Sequence, residues 1–166
     1  MERLVSGVLK EMTGELEGKY YELGLLSDKE KAALAEEGFL FKEGDKFQSA
    51  AGLNRDWPAG RGIFHNNDNS FLVWINKEDH LRIISMQKGA DILSVFRKLC
   101  LASAEIEMTT EFAHDDHLGY VSACPSNLGT GLRASVHINL KLLGKPDCIE
   151  VIESIETKYF IDVRCI

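Results

Sequence analysis

From Arg61 to Met86 the chain is dense in β-branched and aromatic residues, interrupted by the polar run Asn66 to Ser70. That pattern predicts strands joined by a polar turn, and a chain that commits this much of its middle to extended structure cannot be a helical bundle. Strand patterning returns at Tyr120 to Cys124 and from Leu132 to Leu140. Helical spacing surrounds the sheet segments. Leu4, Val5, Val8, Leu9 and Met12 mark a first helix. Ser27 and Glu30 form a capping box for a second, over Asp28 to Glu37, that Gly38 closes. Ile92, Phe96, Leu99, Ala102 and Ile106 mark one face of a longer third. Pro146 stands at the start of a last helix carrying Ile149, Ile152 and Ile155. Antiparallel hairpins followed by long helices predict an α+β domain, with helices on one face of a mainly antiparallel sheet and the other face free to bind.

With 166 residues, 45% of them apolar and 27% charged, the chain can bury the core of one domain. The strongly apolar run Phe71 to Ile75 is too short to cross a bilayer, and the first residues lack a signal-peptide pattern, so no membrane association and a soluble, cytoplasmic protein are expected. Cys100, Cys124, Cys148 and Cys165 form no CxxC pair and are read as reduced thiols. A net charge of −7 argues against nucleic acid as a partner, because phosphates would meet a repulsive surface; a small anion can still bind at a local arginine cluster. Neither GxxxxGK[ST] nor GxGxxG occurs, so any nucleotide must be held mainly by side chains.

Several segments place reactive groups together. In a regular strand from Leu132 to Leu140 the apolar residues share one face, and Arg133, Ser135, His137 and Asn139 share the other. This suits phosphate oxygens, and is also the pattern of an ordinary solvated strand face. If Trp74 to Arg82 is one regular strand, then Trp74, Asn76, Glu78, His80 and Arg82 share a face, with Glu78 and Arg82 roughly 13 Å apart. A carboxylate there can orient a cationic acceptor and take its proton while the guanidinium binds phosphate; a surface salt-bridge row would look the same. Cys124 precedes a loop with Ser126, Gly129, Thr130 and Gly131, where amides and hydroxyls can stabilise a thiolate, although a lone cysteine is more often buried and inert. His114-Asp115-Asp116-His117 has metal-ligand composition, but its turn-like context favours a hydrated loop, and no protein-held metal is expected.

Read together, Trp57 to Asn66, Phe71 to Asn76 with Glu78 to Gln87, and Cys124 to Thr130 with Arg133 to Ile138 resemble the phosphagen (ATP:guanidino) kinases. The similarity runs from about Leu16 to Arg164. It implies the glutamine synthetase/guanidino kinase type of catalytic domain, and transfer of the γ-phosphoryl group of Mg-ATP to a guanidino substrate, with Mg²⁺ carried by the nucleotide. By position, Glu78 is similar to the family's catalytic carboxylate. Cys124 resembles its thiolate cysteine, which contacts the substrate guanidinium without attacking as a nucleophile, and Ser126 would help hold the thiolate charge. Arg82, Arg133 and Arg164 match arginines that clamp nucleotide phosphates, His65 and His137 match histidines near the adenine nucleotide, and Ala134, Ser135 and Val136 complete the ATP-binding run.

Ala134 to Ile138 and His114-Asp115-Asp116 look more like the arginine-using members, whereas Gly131-Leu132 is closer to the creatine-using ones; arginine is the expected acceptor. Lys77 stands where the family commonly carries a second acidic group. The resemblance also implies that 1–166 is a partial catalytic domain, without the family's N-terminal helical domain and the end of the catalytic domain. Surface exposed by such truncation would favour self-association. The rival reading is a catalytically inactive fragment or pseudoenzyme that serves as a nucleotide-binding or interaction module.

Overall fold

The computed structural model describes residues 1–89, 91–137 and 160–165. In chain order these form α1 (Glu2–Glu11), β1 (Gly18–Glu22), α2 (Asp28–Glu36), α3 (Lys46–Ala50), β2 (Gly62–Asn66), β3 (Phe71–Ile75), β4 (Leu81–Lys88), α4 (Ile92–Glu107), β5 (His114–Asp115), β6 (Gly119–Tyr120), β7 (Leu132–His137) and β8 (Phe160–Cys165). Six strands make one antiparallel sheet in the order β1-β2-β3-β4-β8-β7, and β5 with β6 forms a separate ribbon. The α+β class expected from the sequence is the class observed. The helix expected at Pro146 and the strand residues 138–140 lie outside the described residues.

The β2–β3 turn is closed by Asn66, whose Oδ1 accepts the backbone N–H groups of Ser70 and Phe71 at 2.9 and 2.8 Å. Its Nδ2 donates to the Glu15 carbonyl at 2.9 Å, fastening the turn to the segment that leads into β1. Ser27 and Glu30 form the expected capping box at α2. A second one, Asp45 with Gln48, starts α3, a helix absent from the expectations although its Asp-x-x-Gln signal is present in the sequence.

Both faces of the sheet carry a core. On one, α1 and α4 bury Val5, Leu9, Val95, Leu99, Ala102 and Ile106 against Phe64, Phe71, Val73, Ile75, Leu81 and Ile83. On the other, Leu23, Leu26, Leu34, Phe39 and Phe41 cover Ile63, Leu72 and Ile84, so this face is not free over its β2–β4 part as expected. The physical reason is the composition of the strands: β2 and β3 are apolar on both sides, and such strands need two covers.

Two further expectations are corrected. The buried stripe of α4 is Val95, Lys98, Leu99, Ala102 and Ile106, while Ile92 and Phe96 are 54% and 41% exposed. Phe96 lies about 100° round the helix from Val95, off the stripe set by the 4-3-4 spacing of Val95, Leu99, Ala102 and Ile106. Of Tyr120 to Cys124, only Tyr120 is in a strand; Val121 to Cys124 runs as a loop. Its amides find other partners: Val121 donates to the Ala113 carbonyl at 2.9 Å and Ala123 to the Asp79 carboxylate at 2.5 Å.

The β1–β2 pairing depends on close approach at Gly18, opposite Asn66 in register. A Cβ at Gly18 would collide with the His65 carbonyl oxygen and the Asn66 Cα, both backbone atoms that cannot rotate away. Gly18→Ala is therefore expected to destabilise the fold by about 1–3 kcal/mol, read from the denaturant midpoint. At the same edge, burial and the hydrogen bond from the Tyr20 hydroxyl to Glu2 (2.6 Å) hold the Tyr20 phenol far above its ordinary pKa. The neutral phenol is favoured only in the folded state, so its contribution is complete below about pH 10 and is lost as pH rises beyond. Tyr20→Phe should flatten that alkaline decline in a melting series.

Candidate active site

The segment Trp74 to Arg82 is not one strand. β3 ends at Ile75, Asn76 adopts φ +55°, and the chain reverses so that Trp74 lies opposite Arg82 in register. Asparagine tolerates the left-handed conformation because its side chain can bond locally or to a near neighbour. Here Asn76 donates its backbone N–H to the His80 carbonyl at 2.9 Å and its Nδ2 to the Gly60 carbonyl at 2.8 Å. The consequence is a correction to the expected spacing. Glu78 sits at the tip of a hairpin, and the rise of a continuous strand does not apply between it and Arg82.

Glu78 lines a cleft of about 790 Å³ together with Lys77, Asp79, His80, Ser122 and Ala123. Gln48 in α3 donates its Nε2 to Glu78 Oε2 at 3.2 Å, and Lys77 Nζ stands 3.6 Å from the same oxygen. One wall is built by the loop Leu53–Arg61, which buried Arg61 organises: its Nη atoms donate to the carbonyls of Ala59, Leu53 and Arg55 at 2.8, 2.8 and 3.0 Å. The carbonyls satisfy the Nη donors of this buried guanidinium, although its Nε finds no hydrogen-bond partner among the described residues.

The Cys124 loop is joined to the Glu78 turn by Asp79. One Asp79 oxygen accepts the Ala123 N–H at 2.5 Å and the other accepts Asn127 Nδ2 at 3.5 Å, so the carboxylate brackets Cys124 from both sides. Cys124 is half-buried, and its Sγ lies 3.0 Å from Ser126 Oγ. Ser122 Oγ donates to the Cys124 carbonyl at 2.9 Å. The expected site residues did not include Asp79, because a continuous strand would have turned it away from Glu78. Gln48 escaped for another reason: it is 30 residues from its carboxylate partner in sequence, although its capping box was readable.

The remaining candidates spread along the sheet. His65, Leu72, Ile84, Arg164 and Arg133 occupy one register line across β2, β3, β4, β8 and β7, and Arg82 stands two residues from Ile84 on the same face. Ser135 and His137 share the parity of Arg133, whereas Ala134 and Val136 have the opposite parity. At about 4.8 Å per strand, His65 and Arg133 are roughly 19 Å apart, so they cannot grip the same phosphate. His65 stacks on Tyr21 with ring centroids 5.3 Å apart, and its Nδ1 is 3.1 Å from the Asn66 carbonyl oxygen. Arg82 lies over the Trp74 ring at 5.6 Å, and Trp74 is pinned by its Nε1 donating to the Phe39 carbonyl at 2.8 Å. Arg133 is exposed on β7.

His114 to His117 forms no metal cluster among the described residues. Asp115 instead accepts the amides of Leu118 and His117, which hold its carboxyl below the usual range, and the His114 ring packs edge-on to Tyr120. Cys100 and Cys124 are free thiols, and no helix among the described residues is long and apolar enough to cross a membrane.

Residues 1–166 match the family model described as ATP:guanido phosphotransferase, C-terminal catalytic domain, and the chain belongs to that family. It is 53% identical over 165 residues to an arginine kinase of Anthopleura japonica, covering 99% of this chain and 22% of the relative. It is 51% identical over 164 residues to arginine kinase Lit v 2 of Penaeus vannamei, covering 99% of this chain and 46% of the relative. The fold is similar to the duplicated taurocyamine kinase of Schistosoma mansoni with bound transition state analog components (TM-score 0.79, 38% identity, 97% of this chain and 24% of that one). It is also similar to a lombricine kinase (TM-score 0.76, 32% identity, 98% of this chain and 50% of that one). The chain thus spans less than half the length of the curated relatives named.

Asp79 provides a specific check on the coupling of the two segments. Hydrogen bonds to a charged group are each worth about 1.5–3 kcal/mol, so Asp79→Ala should release the 122–127 loop. Alkylation of Cys124, resolved by peptide mass spectrometry, is expected to quicken while that of Cys100 stays at its wild-type rate. Asp79→Asn, which keeps one acceptor, should fall between.

Proposed function

We propose that this chain carries the phosphoryl-transfer site of a phosphagen kinase, moving the γ-phosphoryl group between Mg-ATP and a guanidino compound, with L-arginine as the acceptor. The observation that carries the reading is the Asp79 bridge, which locks the turn of Glu78, a residue lining the cleft with Ser122 and Ala123, to the loop that carries the Cys124 thiol. A guanidinium has a pKa above about 12, so its nitrogen becomes nucleophilic only when an anion aligns it and accepts its proton during transfer. Glu78 supplies that anion, with Gln48 fixing one oxygen. Cys124, with its Sγ beside the Ser126 hydroxyl, supplies a second polar contact for the guanidinium.

The donor end is served by the arginine positions of the sheet. Arg133 and Arg164 are Cα partners on β7 and β8. On this reading the triphosphate runs along the register positions of Arg133 and Arg164, with Arg82 at the hairpin end of β4 and Ser135 and His137 further along β7. Phosphoryl transfer needs mainly such positioning and charge stabilisation. Mg²⁺, bound with the nucleotide, supplies charge neutralisation at the phosphates. The choice of arginine rests on the two relatives that are arginine kinases.

A second reading, a module that holds nucleotide without turnover, is favoured by one contact: the Lys77 ammonium lies 3.6 Å from the Glu78 carboxylate the reaction needs. A coupled assay of ADP formation from Mg-ATP and L-arginine, with creatine as alternative acceptor, separates the two. Turnover that Glu78→Gln lowers by about 10²–10⁴ supports the kinase reading. Nucleotide binding without any turnover supports the module.

A further inference from the structure

Lys77 Nζ makes two contacts, 3.6 Å to Glu78 Oε2 and 5.5 Å to the centroid of the Trp74 ring. Both side chains of the ion pair are only about a quarter exposed, at 26% and 24%, and both line the cleft. Gln48 Nε2 donates to the same oxygen at 3.2 Å. Glu78 Oε2 therefore already carries an amide donor and an ammonium.

A guanidinium grips a carboxylate best in the two-pronged way, one N–H to each oxygen. To reach Glu78 in that mode it must share Oε2 with the Gln48 amide and displace the Lys77 ammonium, which also repels it as a like charge. Lysine has a flexible four-carbon stem, so the displaced ammonium stays within reach of the cleft wall. There it meets the rest of the acceptor. An acceptor with an anionic group recovers an ion pair with Lys77, and one with a further cation meets repulsion.

We propose that Lys77 is a specificity-determining residue for the guanidino acceptor: its ammonium holds the guanidinium's place on Glu78 and, once displaced, selects acceptors that carry an anionic group over purely cationic ones. The inference rests on the reading of Glu78 as the guanidinium-binding carboxylate.

The test is calorimetric titration of the full chain, with Mg-ADP present, using agmatine, which is wholly cationic, and guanidinoacetate, which carries a carboxylate. Relative to wild type, Lys77→Met is expected to tighten agmatine about fivefold, the scale of one partly exposed ion pair, without tightening guanidinoacetate. Lys77→Arg, which keeps the charge, should retain the wild-type preference. If the wild type binds neither acceptor measurably, Lys77→Met must reveal agmatine binding that the added Glu78→Gln change abolishes.

Glu78-dependent binding whose agmatine-to-guanidinoacetate ratio is the same in wild type and Lys77→Met overturns the role of Lys77 and leaves the phosphotransferase reading standing. Acceptor binding indifferent to Glu78→Gln, or none in any variant, overturns the reading of Glu78 and the inference together. Thermal midpoints of each variant show that the comparison is between folded proteins.

Discussion

The reversal at Asn76 to His80 is the constraint on which the site depends. A left-handed residue after β3 folds the chain back so that Trp74 pairs with Arg82 and the acidic pair Glu78-Asp79 is carried to the hairpin tip. Without that turn, Glu78 and Asp79 would point to opposite faces of a strand. With it, neighbouring carboxylates take different tasks: Glu78 faces the cleft, and Asp79 fastens the Cys124 loop. The turn is held in place by Asn76 on the Gly60 carbonyl, and the loop behind Gly60 is held in turn by buried Arg61.

Around this point the molecule separates rigid support from adjustable contacts. The strands are buried on both faces where β2, β3 and β4 cross, with α1 and α4 beneath and the Leu23–Phe41 segment above. Dense packing of that kind fixes backbone positions well and leaves little room for change. The polar groups sit at its margins, on the hairpin tip, in the 122–127 loop and on β7. The phosphoryl transfer proposed for this site would need such an arrangement, because small displacements of groups that align two substrates are costly to the rate.

Trp74 joins the two ends of the candidate site. Its ring is fixed by the bond from Nε1 to Phe39, and it carries Lys77 at 5.5 Å and Arg82 at 5.6 Å. Aromatic rings attract cations through their quadrupole, so a tryptophan at this position draws both positive groups to one ring.

The sequence by itself determined the class of fold and most of its elements. Alternation around Asn66–Ser70, the Ser27–Glu30 capping box and the Leu99, Ala102, Ile106 part of the α4 period are local signals with local physical causes, and they were legible, whereas Ile92 and Phe96 fall off the buried stripe. The family resemblance picked out Glu78 and Cys124 as the residues to place. Tertiary structure decided how those residues meet. Nothing in five consecutive polar positions tells a strand from a tight turn by parity, since both expose polar side chains. The choice was made by Asn76 finding a carbonyl in the distant Gly60. Gln48 reaching Glu78, and Asp79 bonding to Ala123 and Asn127, are contacts between residues 30 to 48 apart in sequence. Such partners are set by how packed layers bring loops together, and no period or propensity within a single segment encodes them.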